Sequence, residues 1–269
     1  MKILGYGRGP RHSPFPDSPQ ASRIERVGVV VPAHNEEQHL ERALTCVQAA
    51  ADVLQAAYPQ VAVRVVVVLD ACTDGSKDLA CGFSAVDPRL EVIEAGHRSV
   101  GKSRRTGVQA LLRKESAGGV PASRVWIANT DADSRVPRHW LARQLELACA
   151  GADAVLGSVE PEADGMDPAL LRLWHSRHRL EEGHTHIHGA NLGVRASAYL
   201  TAGGFPSCES GEDRNLVERL RLAGAAVYAT DTTRVVTSGR LQARARRGFA
   251  GYLLALAREC ADAPAGQAP

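Results

Sequence analysis

VWIANTDAD, residues 125–133, is an apolar run that stops on two aspartates spaced i, i+2. A short apolar run closed by a polar turn reads as a buried strand. In an open α/β sheet, the edge where strands end is where ligands bind. Two carboxylates offered from one tight turn, Asp131 and Asp133, suit a divalent cation that holds a diphosphate. Mg2+ and Mn2+ prefer oxygen and keep waters and substrate phosphates in their shell. Alone, such a pair is a common turn motif; its weight comes from what precedes and follows it.

Two similar stretches lie upstream. VVVPAHNEE, residues 29–37, and VLDACTDGS, residues 68–76, each take a β-branched run into a polar turn. Pro32 stops the first strand, and Asn35 and Glu36 follow as helix-capping or ligand-accepting residues. Asp70 closes the second. Around these motifs the pattern predicts strands at residues 27–31, 63–69, 90–95, 125–128 and 152–159. Helices are expected at 36–57, 104–114 and 137–150, with a polar turn at 96–103. This alternation predicts a doubly wound, mostly parallel α/β sheet with flanking helices. After Pro161 the rhythm breaks: a helix at about 168–182, a histidine-rich loop, a strand and helix in GANLGVRASAYLTAGGF, a helix at 211–223, and short strands at 226–229 and 234–237. GEDRNLVERL, residues 211–220, places Glu212 and Asp213 at a helix start.

The order of these four motifs resembles the family 2 glycosyltransferases of the GT-A fold, with the likeness running over residues 27–239. The resemblance implies a metal-dependent, inverting transfer of one sugar from a nucleotide diphosphate sugar to an acceptor hydroxyl. Pro32, Ala33, His34, Asn35 and Glu36 would form the turn that meets nucleobase and ribose. Asp70 would accept the imino proton of uracil, which favours a UDP-sugar, since a carboxylate only accepts and an imino N–H only donates. Asp131 would touch ribose or metal, and Asp133 would be the principal ligand of Mg2+ or Mn2+. Lys102 and Arg104 would neutralise donor phosphate. His188, Gly189 and Asn191 would line the acceptor space. Asp213 would be the catalytic base, with Glu212 as its neighbour; the plainer reading is that both acids merely favour a helix N-terminus.

GHRSVGKS, residues 96–103, competes with this assignment. It matches G-x-x-x-x-G-K-[ST] completely, between a predicted strand and a predicted helix, as a phosphate-binding P-loop requires. Read alone it predicts a nucleotide hydrolase or phosphotransferase. It follows the third strand rather than the first, however, and leaves the other motifs without roles. A non-catalytic sugar-nucleotide-binding domain is the remaining alternative.

Five histidines fall close together: His175, His178, His184, His186 and His188. The last three alternate, which puts them on one face of an extended segment, yet no nearby cysteine or carboxylate completes a transition-metal set. No histidine follows His188, so a third metal ligand after the last strand is missing; Thr237, Ser238 and Arg240 stand there instead. The Q-x-x-R-W motif of processive synthases is absent. Arg240, Arg244, Arg246 and Arg247 are candidates to close over a diphosphate, to draw the apolar tail to an anionic membrane surface, or simply to face solvent.

Bulk composition agrees. The 269 residues are 44% hydrophobic and 23% charged, with a net charge of +2 and only 4% aromatics. These values argue against a nucleic-acid partner, which calls for a basic surface or stacking rings. Six scattered cysteines include no C-x-x-C pair and read as reduced thiols. Neither a signal peptide nor a run of about 20 apolar residues is apparent, so the expected location is cytoplasmic, with membrane contact at most peripheral. The expected partners are the sugar nucleotide and a small or lipid-linked acceptor. The expected layout is an irregular N-terminal arm at 1–23, a GT-A domain at 24–240, and a helical tail at 241–269 ending in a flexible segment.

Overall fold

Strand β1 (Arg26–Ala33) carries valines on both faces: Val27, Val29 and Val31 enter one apolar cluster and Val30 enters another. Strand β2 (Ala62–Asp70) divides the same way, with Val65 and Val67 opposed to Val66 and Val68. Alternation at period two with both faces apolar demands cover on both sides. The computed structural model, which describes residues 23–208, 210–242 and 248–262, supplies it. Helices α1 (Leu40–Ala57), α2 (Ser76–Val86) and α4 (Trp140–Cys149) pack on one face. Helices α3 (Val100–Ala117), α6 (Ala196–Thr201) and α7 (Glu212–Leu222) cover the other. Helices α5 (Pro168–Arg177) and α8 (Phe249–Asp262) join in a smaller cluster around Leu170, Trp174, Leu253 and Leu256.

The remaining strands are β3 (Leu90–Ala95), β4 (Val125–Asn129), β5 (Ser134–Arg135), β6 (Ala154–Pro161), β7 (Leu192–Arg195) and β8 (Val227–Thr237). They form one sheet in the order β3-β2-β1-β4-β7-β6-β8-β5. Pairings β3–β2, β2–β1, β1–β4 and β6–β8 are parallel; β7 runs antiparallel between β4 and β6, as does β5 against β8. The parallel half therefore delivers the ends of β1, β2 and β4 to one edge, with α3 behind them. Gly107 sets that approach, because a Cβ there would lie 2.6 Å from Val30 Cγ1.

Several boundaries differ from the expected ones. Helix α1 begins at Leu40, not at Glu36; in the turn before it the Glu36 N–H donates to Ser76 Oγ at 2.8 Å and ties that turn to the start of α2. Helix α3 begins at Val100, four residues before the expected start, capped by Ser99. Helix α5 starts on Asp167, whose carboxylate accepts from Ala169 N at 2.7 Å with Pro168 first in the helix, but ends at Arg177 rather than near 182. The two short strands expected after residue 226 are one strand, β8. Its register against β6 jumps from Gly157↔Thr230 to Val159↔Val235, so residues 231–234 bulge out and interrupt the alternation. The expected N-terminal arm lies outside the described residues except for Arg23, as do Arg244, Arg246, Arg247 and the chain end at 263–269. No helix among the described residues is long and apolar enough to cross a membrane.

Candidate active site

Backbone conformation marks the edge first. Asn35, Ala71 and Arg98 adopt φ of 54°, 52° and 49°, each within three residues of the end of β1, β2 or β3. Non-glycine residues rarely enter the left-handed region, and strain of this kind collects at ligand sites. Side chains from the first two motifs hold these turns together. Asn35 Oδ1 accepts from Thr73 N at 2.7 Å, Glu37 accepts from Gly75 N at 2.7 Å, and Asp74 accepts from Glu37 N at 3.0 Å. His34, exposed, contacts the Asp70 carbonyl through Nδ1 at 2.6 Å, while Pro32 and Ala33 are buried behind it.

Asp70 is 3% exposed and faces inward. Its oxygens accept from Arg98 N at 2.8 Å, Ser99 N at 2.9 Å and Ser103 Oγ at 2.8 Å. Burial raises its carboxyl, but the bonds from Ser99, Ser103 and Arg98 outweigh that and hold it below the usual range. Those donors belong to the G-x-x-x-x-G-K-S stretch. The amides that would cradle a phosphate in a P-loop are turned onto a carboxylate of the chain itself, which gives the pattern a different job. Lys102 stands exposed on the first turn of α3.

At the end of β4, Asp131 and Asp133 are both partly exposed. Asp133 Oδ2 lies 2.9 Å from Arg240 Nη2, and the same guanidinium forms a two-point pair with Glu36 at 2.7 and 2.8 Å. Glu36 is thereby buried against Arg240 rather than open to a ribose. Burial, then the charge of Asp131, pushes the Asp133 carboxyl up to about 6, with Arg240 acting in the opposite direction. Two guanidinium groups meet these acids, Arg240 at Asp133 and Glu36, and Arg104 at Asp131. Among the described residues no group of three or more His, Cys, Asp or Glu forms a complete cage. Asp131 and Asp133 are the residues that would hold a hard divalent ion, which would need its remaining ligands from phosphate and water.

Arg104, expected among the phosphate ligands, is 3% exposed and engaged within the protein. Its Nη2 lies 2.5 Å from Asp131 Oδ1, and its Nη1 donates to Glu212 Oε1. Burial raises the Glu212 carboxyl, an effect Arg104 partly offsets and Asp213 reinforces. Asp213 is half-buried beside it, and its Oδ2 accepts from Gly189 N at 2.8 Å. Arg104 therefore joins Asp131 to the Glu212-Asp213 pair, about 80 residues away in sequence.

Asn191 does not line an acceptor space. It is 1% exposed; Nδ2 donates to the carbonyls of Ser158 and Thr233 at 2.8 and 2.7 Å, and Oδ1 accepts from Trp140 Nε1 at 2.9 Å. Its amide fills the β6–β8 bulge, in room left by Gly157. The histidines form a ring stack: His184–His186 at 5.8 Å, His186–His188 at 6.1 Å and His178–His186 at 5.1 Å, with His178 flat on Trp174 at 4.3 Å. His188 meets Phe249 of α8 edge-on at 6.2 Å. Burial, then the neighbouring histidines, lowers His188 to about 3, so it is neutral at physiological pH.

Residues 28–199 match the family model described as Glycosyl transferase family 2. The chain belongs to this family. The succinoglycan biosynthesis protein ExoA of Rhizobium meliloti (strain 1021) is 26% identical over 219 residues, covering 77% of this chain and 62% of that protein. Glycosyltransferase AglE of Haloferax volcanii is 28% identical over 141 residues, covering 52% of this chain and 41% of AglE. The chain spans less than two thirds of either relative. Among solved structures, the mannosyltransferase PcManGT from Pyrobaculum calidifontis, in complex with GDP-Man and Mn2+, superposes with a TM-score of 0.60 at 20% identity, covering 96% of this chain and 70% of that one. S. aureus TarS 1-349 in complex with UDP gives 0.57 at 15%, covering 80% and 61%. The fold is that of the GT-A glycosyltransferases.

In this family 2 member the turn-to-turn clasp between residues 35–37 and 73–76 and the internal bridging by Arg104 were not apparent in the sequence. The only signal for the first was that both turns were rich in Asn, Asp, Glu and Ser. Arg104 carried no signal separating a buried arginine from a phosphate-facing one.

Proposed function

We propose that the protein transfers one sugar, with inversion, from a nucleoside diphosphate sugar to an acceptor hydroxyl. The carrying observation is the placement of Asp213, pinned by the Gly189 N–H, in the same site as Asp131 and Asp133. Asp131 and Asp133 would hold the divalent ion, Mg2+ or Mn2+, which supplies compensation for charge developing on the departing diphosphate. The His34 turn and the strained loops after β2 and β3 bind the nucleoside, and Lys102 stands at the rim as a cation for phosphate. Asp213 takes the proton of the acceptor hydroxyl as its oxygen bonds to the anomeric carbon. The bond from that carbon to the diphosphate oxygen breaks, and its electron pair leaves with the nucleoside diphosphate. Attack opposite the leaving group inverts the anomeric configuration.

UDP-sugars are the first donors to test, as TarS is described with UDP, and GDP-mannose is the second, after PcManGT. The acceptor is small or lipid-linked. The test is a donor panel with Mn2+ and Mg2+, read by nucleoside diphosphate release and by the anomeric configuration of the product. Release with none of the donors, under either metal, would instead favour a sugar-nucleotide-binding domain without turnover.

A further inference from the structure

Arg104 touches both halves of the site yet faces no solvent. One nitrogen of its fork holds Asp131, on the donor side, at 2.5 Å; the other holds Glu212, the first residue of α7. Its plane also carries the backbone of the acceptor side. A Cβ built on Gly189 would lie 2.4 Å from Cζ, Nη1 and Nη2 together, so Gly189 rests flat on the guanidinium. The N–H of Gly189 in turn holds Asp213 Oδ2 at 2.8 Å. The Phe205 ring, 6.0 Å from Cζ, supports the group further, and Nε has no hydrogen-bond partner among the described residues.

We infer that Arg104 is a positioning residue: it sets the distance between the donor carboxylate Asp131 and the base Asp213, through Glu212 and the Gly189 peptide, and does not itself bind phosphate. The inference rests on the transferase reading above. Only a planar fork meets two carboxylates at once while offering a flat face to a peptide; a lysine ammonium reaches one of them as a point charge. A base displaced by about 1 Å from its productive geometry loses on the order of 10²-fold in rate.

Two variants probe this by different routes. Arg104→Lys keeps the charge and removes the fork. Gly189→Ala keeps the arginine and pushes its plane away. The readouts are donor-dependent kcat, donor KM, and the affinity of the nucleoside diphosphate by calorimetry, with the unfolding midpoint confirming a folded protein. Both variants are expected to lower kcat about 100-fold while nucleoside diphosphate affinity changes less than about threefold. Adding Glu212→Gln to Arg104→Lys should cost much less than the two single losses combined, since each acts through the other. Lost nucleoside diphosphate affinity with unchanged kcat would overturn the inference and make Arg104 a donor ligand. Additive effects of Arg104→Lys and Glu212→Gln would also overturn it. A wild-type protein that binds no nucleoside diphosphate would remove the transferase reading itself, and the positioning role with it. If Arg104→Lys does not fold, Gly189→Ala decides: normal kcat in that variant overturns the inference.

Discussion

Arg240 Nη2 lies 2.9 Å from Asp133 Oδ2, so a guanidinium already stands on a carboxylate proposed to hold the metal ion. The same group holds Glu36, which tethers the chain after β8 to the turn after β1. A divalent cation entering there would have to compete with that contact.

Arg240→Ala should therefore raise the affinity of the nucleotide-free protein for Mn2+, by about tenfold if the lost contact was worth 1.5–3 kcal/mol and is partly replaced by water. Free Mn2+ measured by electron paramagnetic resonance titration reads this directly. Unchanged affinity would mean that the ion does not use the Arg240 side of Asp133.

Asp213→Asn should leave nucleoside diphosphate affinity intact and lower kcat by about 10²–10⁴-fold. The amide can still accept from the Gly189 N–H but cannot take a proton at neutral pH. Near-normal turnover would reduce Asp213 to a helix-start acid and pass the base role to Glu212 or to neutral His188.

Asn191→Ala is a stability variant, not an acceptor variant. It strands the Ser158 and Thr233 carbonyls and the Trp140 indole N–H in a closed interior. Each buried group left unpaired costs about 1–3 kcal/mol. Urea unfolding should show a loss of at least about 3 kcal/mol, while the fraction that remains folded keeps its acceptor KM. A raised KM with an unmoved midpoint would return Asn191 to the acceptor side.

Ala71 sits at φ 52° immediately after β2. Glycine enters that region freely, so Ala71→Gly should stabilise the fold by about 1 kcal/mol. For a domain of this size that corresponds to a rise of about 2–4 °C in Tm by scanning calorimetry. A lower Tm would show that the Ala71 methyl makes contacts worth more than the strain.

Asp87 gives a pH test away from the site. Bonds from the Arg89 side chain, acting against burial, bring its carboxyl down from 3.8 to about 2. A depressed acid contributes its stability above its unfolded value and loses it as pH falls through the folded one. The difference in stability between wild type and Asp87→Asn should be full above about pH 4 and shrink toward pH 2, as followed by urea midpoints across that window.

The parallel half of the fold was legible because β1 and β2 are valine-rich runs buried on both faces; β3 falls on the expected residues, Leu90–Ala95. The antiparallel return of β7 and the bulge in β8 were not, since both depend on partners distant in sequence, such as Asn191 bonding Thr233. The acids of the candidate site could be picked out by type and by position, Asp131 and Asp133 after a strand and Glu212 and Asp213 at a helix start. What each one touches did not: a lone motif does not reveal that Glu36 meets Arg240, 204 residues away. The expected start of α3 was late for the same reason, because the Asp70 carboxylate that organises its first turn belongs to another strand.

The Asp70 contact also bears on how G-x-x-x-x-G-K-S can be interpreted in any chain. An anion tethered to the same polypeptide meets the loop amides as an intramolecular partner, whereas a nucleotide has to bind from solution. Here the tethered carboxylate accepts from Arg98 N and Ser99 N, within the stretch that fits the pattern in every letter. The pattern describes a backbone shape hungry for negative charge; it does not say whether that charge arrives from outside or is already part of the chain.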